Sequence, residues 1–146
     1  NYLSGENRAL INLSESKEIY RQALRSIVLE TEVAGDETGV VESAVNKIFT
    51  DAGFAVSNGE LAPTAKAKVS INWTRTDGIG NPFIFANYNA DVSVMDLKGN
   101  ETVMVFSASD KEGHQIYESA QSRAVKRLIE TLEEEFSVQL LKKYTL

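Results

Sequence analysis

Cysteine is absent from this 146-residue chain. Its absence excludes disulfides, a thiolate nucleophile and cysteine-ligated zinc or iron–sulfur centres. Histidine occurs once, at His114. A Ser-His-Asp triad would have to be built on that residue, and no G-x-S-x-G elbow supplies a nucleophile for it. Zinc needs three or four ligands, which one histidine and no cysteine do not provide. The two prolines, Pro63 and Pro82, both fall in loop-like stretches. No apolar run approaches the roughly 20 residues that span a bilayer. Base is also scarce. Fifteen Lys and Arg against 21 Asp and Glu leave a net charge of −6 and an isoelectric point near 4.9. Nucleic acid and anionic membrane surfaces are bound through a basic footprint, so neither is an expected partner.

What is present is ordinary globular material, 42% apolar and 25% charged. A chain of this length buries roughly two thirds of its unfolded surface and folds without metal or disulfide. We expect one α+β domain over residues 25–146, preceded by an N-terminal segment, 1–24, that is hard to assign. No signal peptide is visible, and the first residue is Asn1 rather than Met, which is compatible with a leader upstream.

In that first segment, 9–13 (Ala-Leu-Ile-Asn-Leu) suits a short strand and Ser14 to Arg25 a helical turn. From Arg25 to Val33 the alternation of Ile27, Leu29 and Thr31 with Ser26, Val28 and Glu30 predicts a strand. Thr38 is placed to cap a helix whose apolar stripe is Val41, Ala44, Val45, Ile48, Phe49 and Ala52, and Gly53 to stop it. Phe54-Ala55-Val56 resumes as a short strand. Asn58-Gly59 and Pro63 mark a loop.

Lys66 to Thr74 is the cleanest strand, with Ala67, Val69, Ile71 and Trp73 on one face. A loop is expected over Thr76 to Pro82. A hairpin follows around Lys98-Gly99-Asn100. Ile84, Ala86, Tyr88, Ala90, Val92 and Val94 line its first arm, and Thr102 to Ala108 form the second. Asp110 to His114 reads as a loop. The closing helix, from about Gln115 to Tyr144, carries Ile116, Ala120, Ala124, Leu128 and Leu132 along one side. At 1.5 Å per residue it would be about 45 Å long. It should therefore bend, break near Phe136-Ser137, or overhang the sheet. An overhanging end bearing Val138, Leu140, Leu141 and Tyr144 would need a partner; the alternative is that it folds back on its own domain. The fold class is α+β: a mostly antiparallel sheet of four to five strands, two main helices on one face, a two-layer sandwich.

Few motifs carry chemistry. His114 suits a helix-start position better than a catalytic one. Asp77, Asp110 and Glu112 offer calcium-type oxygen ligands, but without the EF-hand spacing and with Lys111 among them. Gly78-Ile79-Gly80 lacks the third glycine and the Lys-Ser/Thr pair of a phosphate loop. Glu133-Glu134-Glu135 is read as a solvated helix face. Asn12, Asn72 and Asn100 begin glycosylation-type triplets, but Asn72 lies within a strand. Catalytic residues, cofactor and metal are all expected to be none.

One surface feature is unexpected. Phe83 and Phe85 lie on the face otherwise lined by Asn87, Asn89, Asp91 and Ser93. Either they form a partner surface, or the loop over Thr76 to Pro82 or the N-terminal segment covers them. The candidate partner surface is therefore Phe83 and Phe85, with Leu140, Leu141 and Tyr144 at the helix end.

Three stretches resemble a known group. They are Val41-Glu42-Ser43-Ala44-Val45 leading to Gly53-Phe54-Ala55-Val56, the hairpin segment Asp91 to Asn100, and the helix pattern Glu118, Ala120, Ala124, Leu128. Together they resemble the small α+β domains of bacterial envelope lipoproteins. That group includes the penicillin-binding-protein activator lipoproteins, the curli secretion lipoprotein and the middle domain of flagellar assembly protein T. The similarity covers about residues 25 to 136. It implies a non-enzymatic interaction or assembly module in the periplasm or on the periplasmic face of the outer membrane. Its partners would be proteins or copies of itself, and any lipid anchor would sit upstream of Asn1. Two other readings stand beside it. One is a small-ligand-binding or hydrolytic domain using Asp, Glu, Ser and Tyr. The other is a structural domain that oligomerises through its C-terminal helix.

Overall fold

The computed structural model describes residues 26–57 and 59–145. The strand expected over 9–13, the helical turn over Ser14 to Arg25 and Asn58 of the Asn58-Gly59 loop lie outside the described residues.

The chain runs β1 (Val28–Ala34), α1 (Val40–Ala52), β2 (Ala55–Val56), β3 (Ala65–Asp77), β4 (Ile84–Asp96), β5 (Glu101–His114), α2 (Tyr117–Thr131), a π-helical turn (Leu132–Phe136) and α3 (Ser137–Thr145). The five strands form one sheet in the order β2-β1-β3-β4-β5. The two long ladders, β3/β4 and β4/β5, are antiparallel; β1 pairs in parallel with β2 and β3. The sheet is thus mixed, an α+β sandwich whose parallel corner comes from the β1-α1-β2 crossover.

Alternation decides which side is buried. Ala65, Ala67, Val69 and Ile71 on β3 and Ala86, Tyr88, Ala90, Val92 and Val94 on β4 point into the core, as does Phe106 on β5. The intervening residues form a polar face. There Ser107 Oγ donates to Asp91 Oδ1 at 2.6 Å, and Asn87 Nδ2 donates to the Thr74 carbonyl at 2.9 Å. The expected partition of β4 is the observed one.

The apolar layer is supplied by α1 and by the long C-terminal helix. Helix α1 buries Val41, Val45, Ile48 and Phe49 and ends at Gly53, whose φ of 113° is the left-handed stop read from the sequence. Its start differs from expectation. The N-cap is Gly39, at φ 75°, not Thr38. Asp36 does the capping from outside, its Oδ2 accepting the Glu42 N–H at 2.9 Å.

The closing helix buries Ala120, Ala124, Leu128, Leu132, Phe136 and Leu140, residues spaced strictly by four. Four residues of α-helix overshoot one turn by about 40°, so a four-residue stripe drifts around the helix. The π-turn at Leu132–Phe136 inserts a residue and takes back about 100°. This lets the stripe leave the sheet for α1 without turning to solvent. Phe136 stands at the junction, its ring 5.7 Å from Phe49 on α1 and 5.6 Å from Phe106 on β5. The helix neither breaks nor overhangs. It changes winding where Phe136-Ser137 suggested a break, and its end returns to its own domain.

Two further expectations are corrected. Asp110 to His114 continues β5 instead of forming a loop, because Asp110 and Glu112 are paired with Arg127 on α2. Thr76 and Asp77 belong to β3, opposite Phe85 and Ile84, which leaves a shorter β3–β4 loop. Among the described residues no helix is long and apolar enough to cross a membrane.

Candidate interaction surface

The loop before β4 presents Phe83. Its N–H donates to Asn81 Oδ1 at 3.0 Å and its carbonyl accepts the Gly78 N–H at 3.2 Å. These bonds close the loop across its own ends and hold the Phe83 ring 42% exposed. Ile79, in the same loop, is fully exposed.

Phe85 lies on the same face but is half-buried, and its cover comes from β5. Phe85 is directly opposite Gly113, where a Cβ would stand only 2.8 Å from Phe85 Cε1. Lys111 Nζ sits 5.3 Å from the ring centroid, a cation–π contact. An aromatic lying over a cross-strand glycine shields backbone that has no side chain of its own. Phe83 is therefore the exposed member of the pair.

The helix-end residues also divide. Leu140 is wholly buried and is removed from the candidate surface. It continues the four-residue stripe that the π-turn keeps aimed inward. Tyr144 is half-buried, its ring 5.0 Å from Phe54 and edge-on to it. Leu141 is 44% and Val138 46% exposed, and both lie on the outer side of α3.

The titratable groups named from the sequence serve packing. Arg127 Nε meets Glu112 Oε1 at 2.6 Å and its second nitrogen meets Asp110 Oδ2 at 3.3 Å. The hydrogen bond to Glu112, reinforced by the two negative charges, raises the guanidinium above its ordinary value. Beneath this cluster Tyr88 is buried, and desolvation followed by the Asp110 charge pushes its phenol upward. Asp77 pairs with Arg75 at 3.3 Å, so the three acids considered for calcium do not converge. His114 Nδ1 accepts the Ile116 N–H at 3.1 Å where α2 begins, which is a helix-start role. Among the described residues no charged side chain is buried, and no three His, Asp or Glu residues gather as a metal site would require.

Two grooves remain. One, of about 300 Å³, lies between the β1–α1 loop and α2 and includes Val40, Trp73, Val125 and Ile129. Trp73 is fixed there by its Nε1–H bond to the Gly35 carbonyl at 2.9 Å. The other, more open, runs between β5 and α3 and includes Val105, Val138, Glu135 and Lys142. Sequence reasoning passed over Val105, although alternation along β5 places it opposite the buried side.

No protein-family model and no curated protein matches this chain. Solved structures do. A minor lipoprotein of Acinetobacter baumannii matches with a TM-score of 0.51 at 15% identity, over 81% of this chain and 90% of its own. A candidate lipoprotein of Caulobacter crescentus matches with a TM-score of 0.55 at 16% identity, over 85% and 96%. A Xanthomonas campestris protein of the DUF330 family matches with a TM-score of 0.56 at 11% identity, over 80% and 84%. At such identities the likeness is one of fold: this chain has a bacterial lipoprotein-type α+β fold.

Proposed function

We propose that this chain is a non-enzymatic interaction or assembly module of a bacterial cell envelope, carried on an anchor upstream of Asn1 and facing the periplasm. The observation that carries the reading is where apolar and charged groups lie. Among the described residues, charged side chains stay outside or pair with one another. Phe83, Ile79, Val105, Val138 and Leu141 are apolar yet exposed, as residues that contact other proteins are. The lipoprotein-type fold supports the envelope assignment, with the activator, curli-secretion and flagellar-assembly groups as its finer form. The groove at Trp73 is what favours the ligand-binding alternative; it is apolar, of about 300 Å³, at the lower end of small-molecule sites.

The test is to express the full chain in a bacterial envelope with Phe83→Ser or Leu141→Asp. Both variants should keep the thermal midpoint and lose the larger complexes that native-size separation of detergent extracts resolves for the parent. If those complexes persist in both variants, or the parent fractionates with the cytoplasm, the reading fails.

A further inference from the structure

The two edges of the sheet differ. Strand β2 is only two residues long, and brevity is one way in which an edge avoids unwanted pairing. Strand β5 is 14 residues long, and among the described residues it pairs only with β4. Its second half carries Asp110, Lys111 and Glu112. Thr102 to Ser109 (Thr-Val-Met-Val-Phe-Ser-Ala-Ser) carries no charge. The one protective device in that stretch is the bulge at Val103, which lies between the Val94–Met104 and Met95–Thr102 pairs. An uncharged edge presents backbone N–H and C=O groups to any strand that meets it.

Beside this edge runs α3. Val105 is 62% and Val138 46% exposed, and both line one groove with Glu134, Glu135, Gln139 and Lys142. The charges on that side of the helix are segregated, with Glu134 and Glu135 at its start and Lys142 toward its end. Acid first and base last suits the helix dipole. However, Glu135 and Lys142 are seven residues apart, too far to pair within one helix, where neighbours are three or four apart. An antiparallel copy of the helix satisfies them. With Val138 facing Gln139 of the copy, Glu135 faces Lys142, and by symmetry the pair forms twice. A two-fold axis perpendicular to the sheet would bring β5 edge to edge with its copy and run the two α3 helices antiparallel on one face.

We infer that β5 and α3 form one self-complementary face, and that its occupant is a second copy of this chain, joined in a two-fold dimer with a continuous sheet. The inference rests on the reading that this chain works by contact, and it names the partner. Backbone pairing along Thr102 to Ser109 supplies the join. Val138 supplies the dry centre between the helices, Val105 meets its copy across the join on the polar face of the sheet, and the Glu135–Lys142 pair fixes the register.

The test is sedimentation velocity of the purified full chain over a concentration series, with Glu135→Lys, with Lys142→Glu and with both changes together. All are exposed positions, so folding is not at stake. The parent should move from 16.1 kDa toward twice that mass, less readily as salt is raised. Each single reversal turns two attractive pairs into repulsive ones and should weaken the dimer by about tenfold, or about 1.4 kcal/mol. The double reversal restores opposite charges across the axis and should return affinity to within about threefold of the parent. A chain that stays monomeric throughout overturns the dimer. So does a double reversal no better than the singles. Loss of the dimer leaves the envelope reading intact, because that reading is tested at Phe83 and Leu141 in extracts rather than on the isolated chain.

Discussion

The ring of Phe85 fills the space that a side chain at residue 113 would need: Cε1 is 2.8 Å from where the Cβ would stand. The two residues are cross-strand partners, so glycine and ring act as a unit that closes the polar face of the sheet near its end. Gly113→Ala should displace the ring and cost about 1 kcal/mol. In a Phe85→Ala background the same change should cost close to nothing. Urea denaturation of the four variants measures the coupling.

A more severe effect is expected at Gly35. Its φ is +86°, and an added Cβ would stand 2.1 Å from the Ile71 carbonyl oxygen. Backbone cannot swing aside as a ring can. The Gly35 carbonyl also holds the Trp73 indole. Gly35→Ala should therefore cost about 3 kcal/mol and change the near-ultraviolet signal of the single tryptophan. Thermal melts with matched circular dichroism check both.

The helix end gives a sharper contrast between neighbours. Leu140 has no exposed surface, whereas Leu141 is almost half exposed. Leu140→Asp buries an unpaired carboxylate and should lower stability by about 4 kcal/mol or more. Leu141→Asp should stay within about 0.5 kcal/mol of the parent. Far-ultraviolet melts of the two variants decide between them.

Stability should also fall in alkali. Burial raises the phenols of Tyr88 and Tyr144 above the ordinary value of 10.0. The folded chain then keeps protons that the unfolded chain releases, so this contribution is complete below about pH 10 and is lost as pH rises through the folded values. Melts in steps above pH 9 should show the midpoint falling, and Tyr88→Phe should make the fall shallower.

Much of the architecture was legible because it is periodic. The alternation from Ile84 to Val94 fixed the buried side of β4, and the α1 stripe with Gly53 fixed that helix and its end. What escaped was information held by distant partners. Asp110 to His114 looked like a loop since its charges had no visible reason to be in a strand; that reason is Arg127, on the following helix. The parallel pairing of β1 with β3 leaves no trace in either strand, because alternation records a face and not a neighbour. Leu140 was open to a better reading: it continues the spacing of Ala120, Ala124, Leu128, Leu132 and Phe136, and only the length of the helix argued for exposing it. For the surface, Phe83 and Leu141 were visible as apolar residues at exposed positions. Val105 was not, because the sequence does not reveal that β5 is an edge.

Exposed apolar residues are proposed as this chain's points of contact. Photo-crosslinking tests this most directly, with the reactive side chain placed in turn at Phe83, Val105, Leu141 and, on the polar face, Asn89, in the full chain in living bacteria. Discrete protein adducts are expected at the first three positions, with the Val105 adduct at twice the chain's own mass, and none at Asn89. Adducts of equal strength at all four positions, or at none, would contradict the proposal.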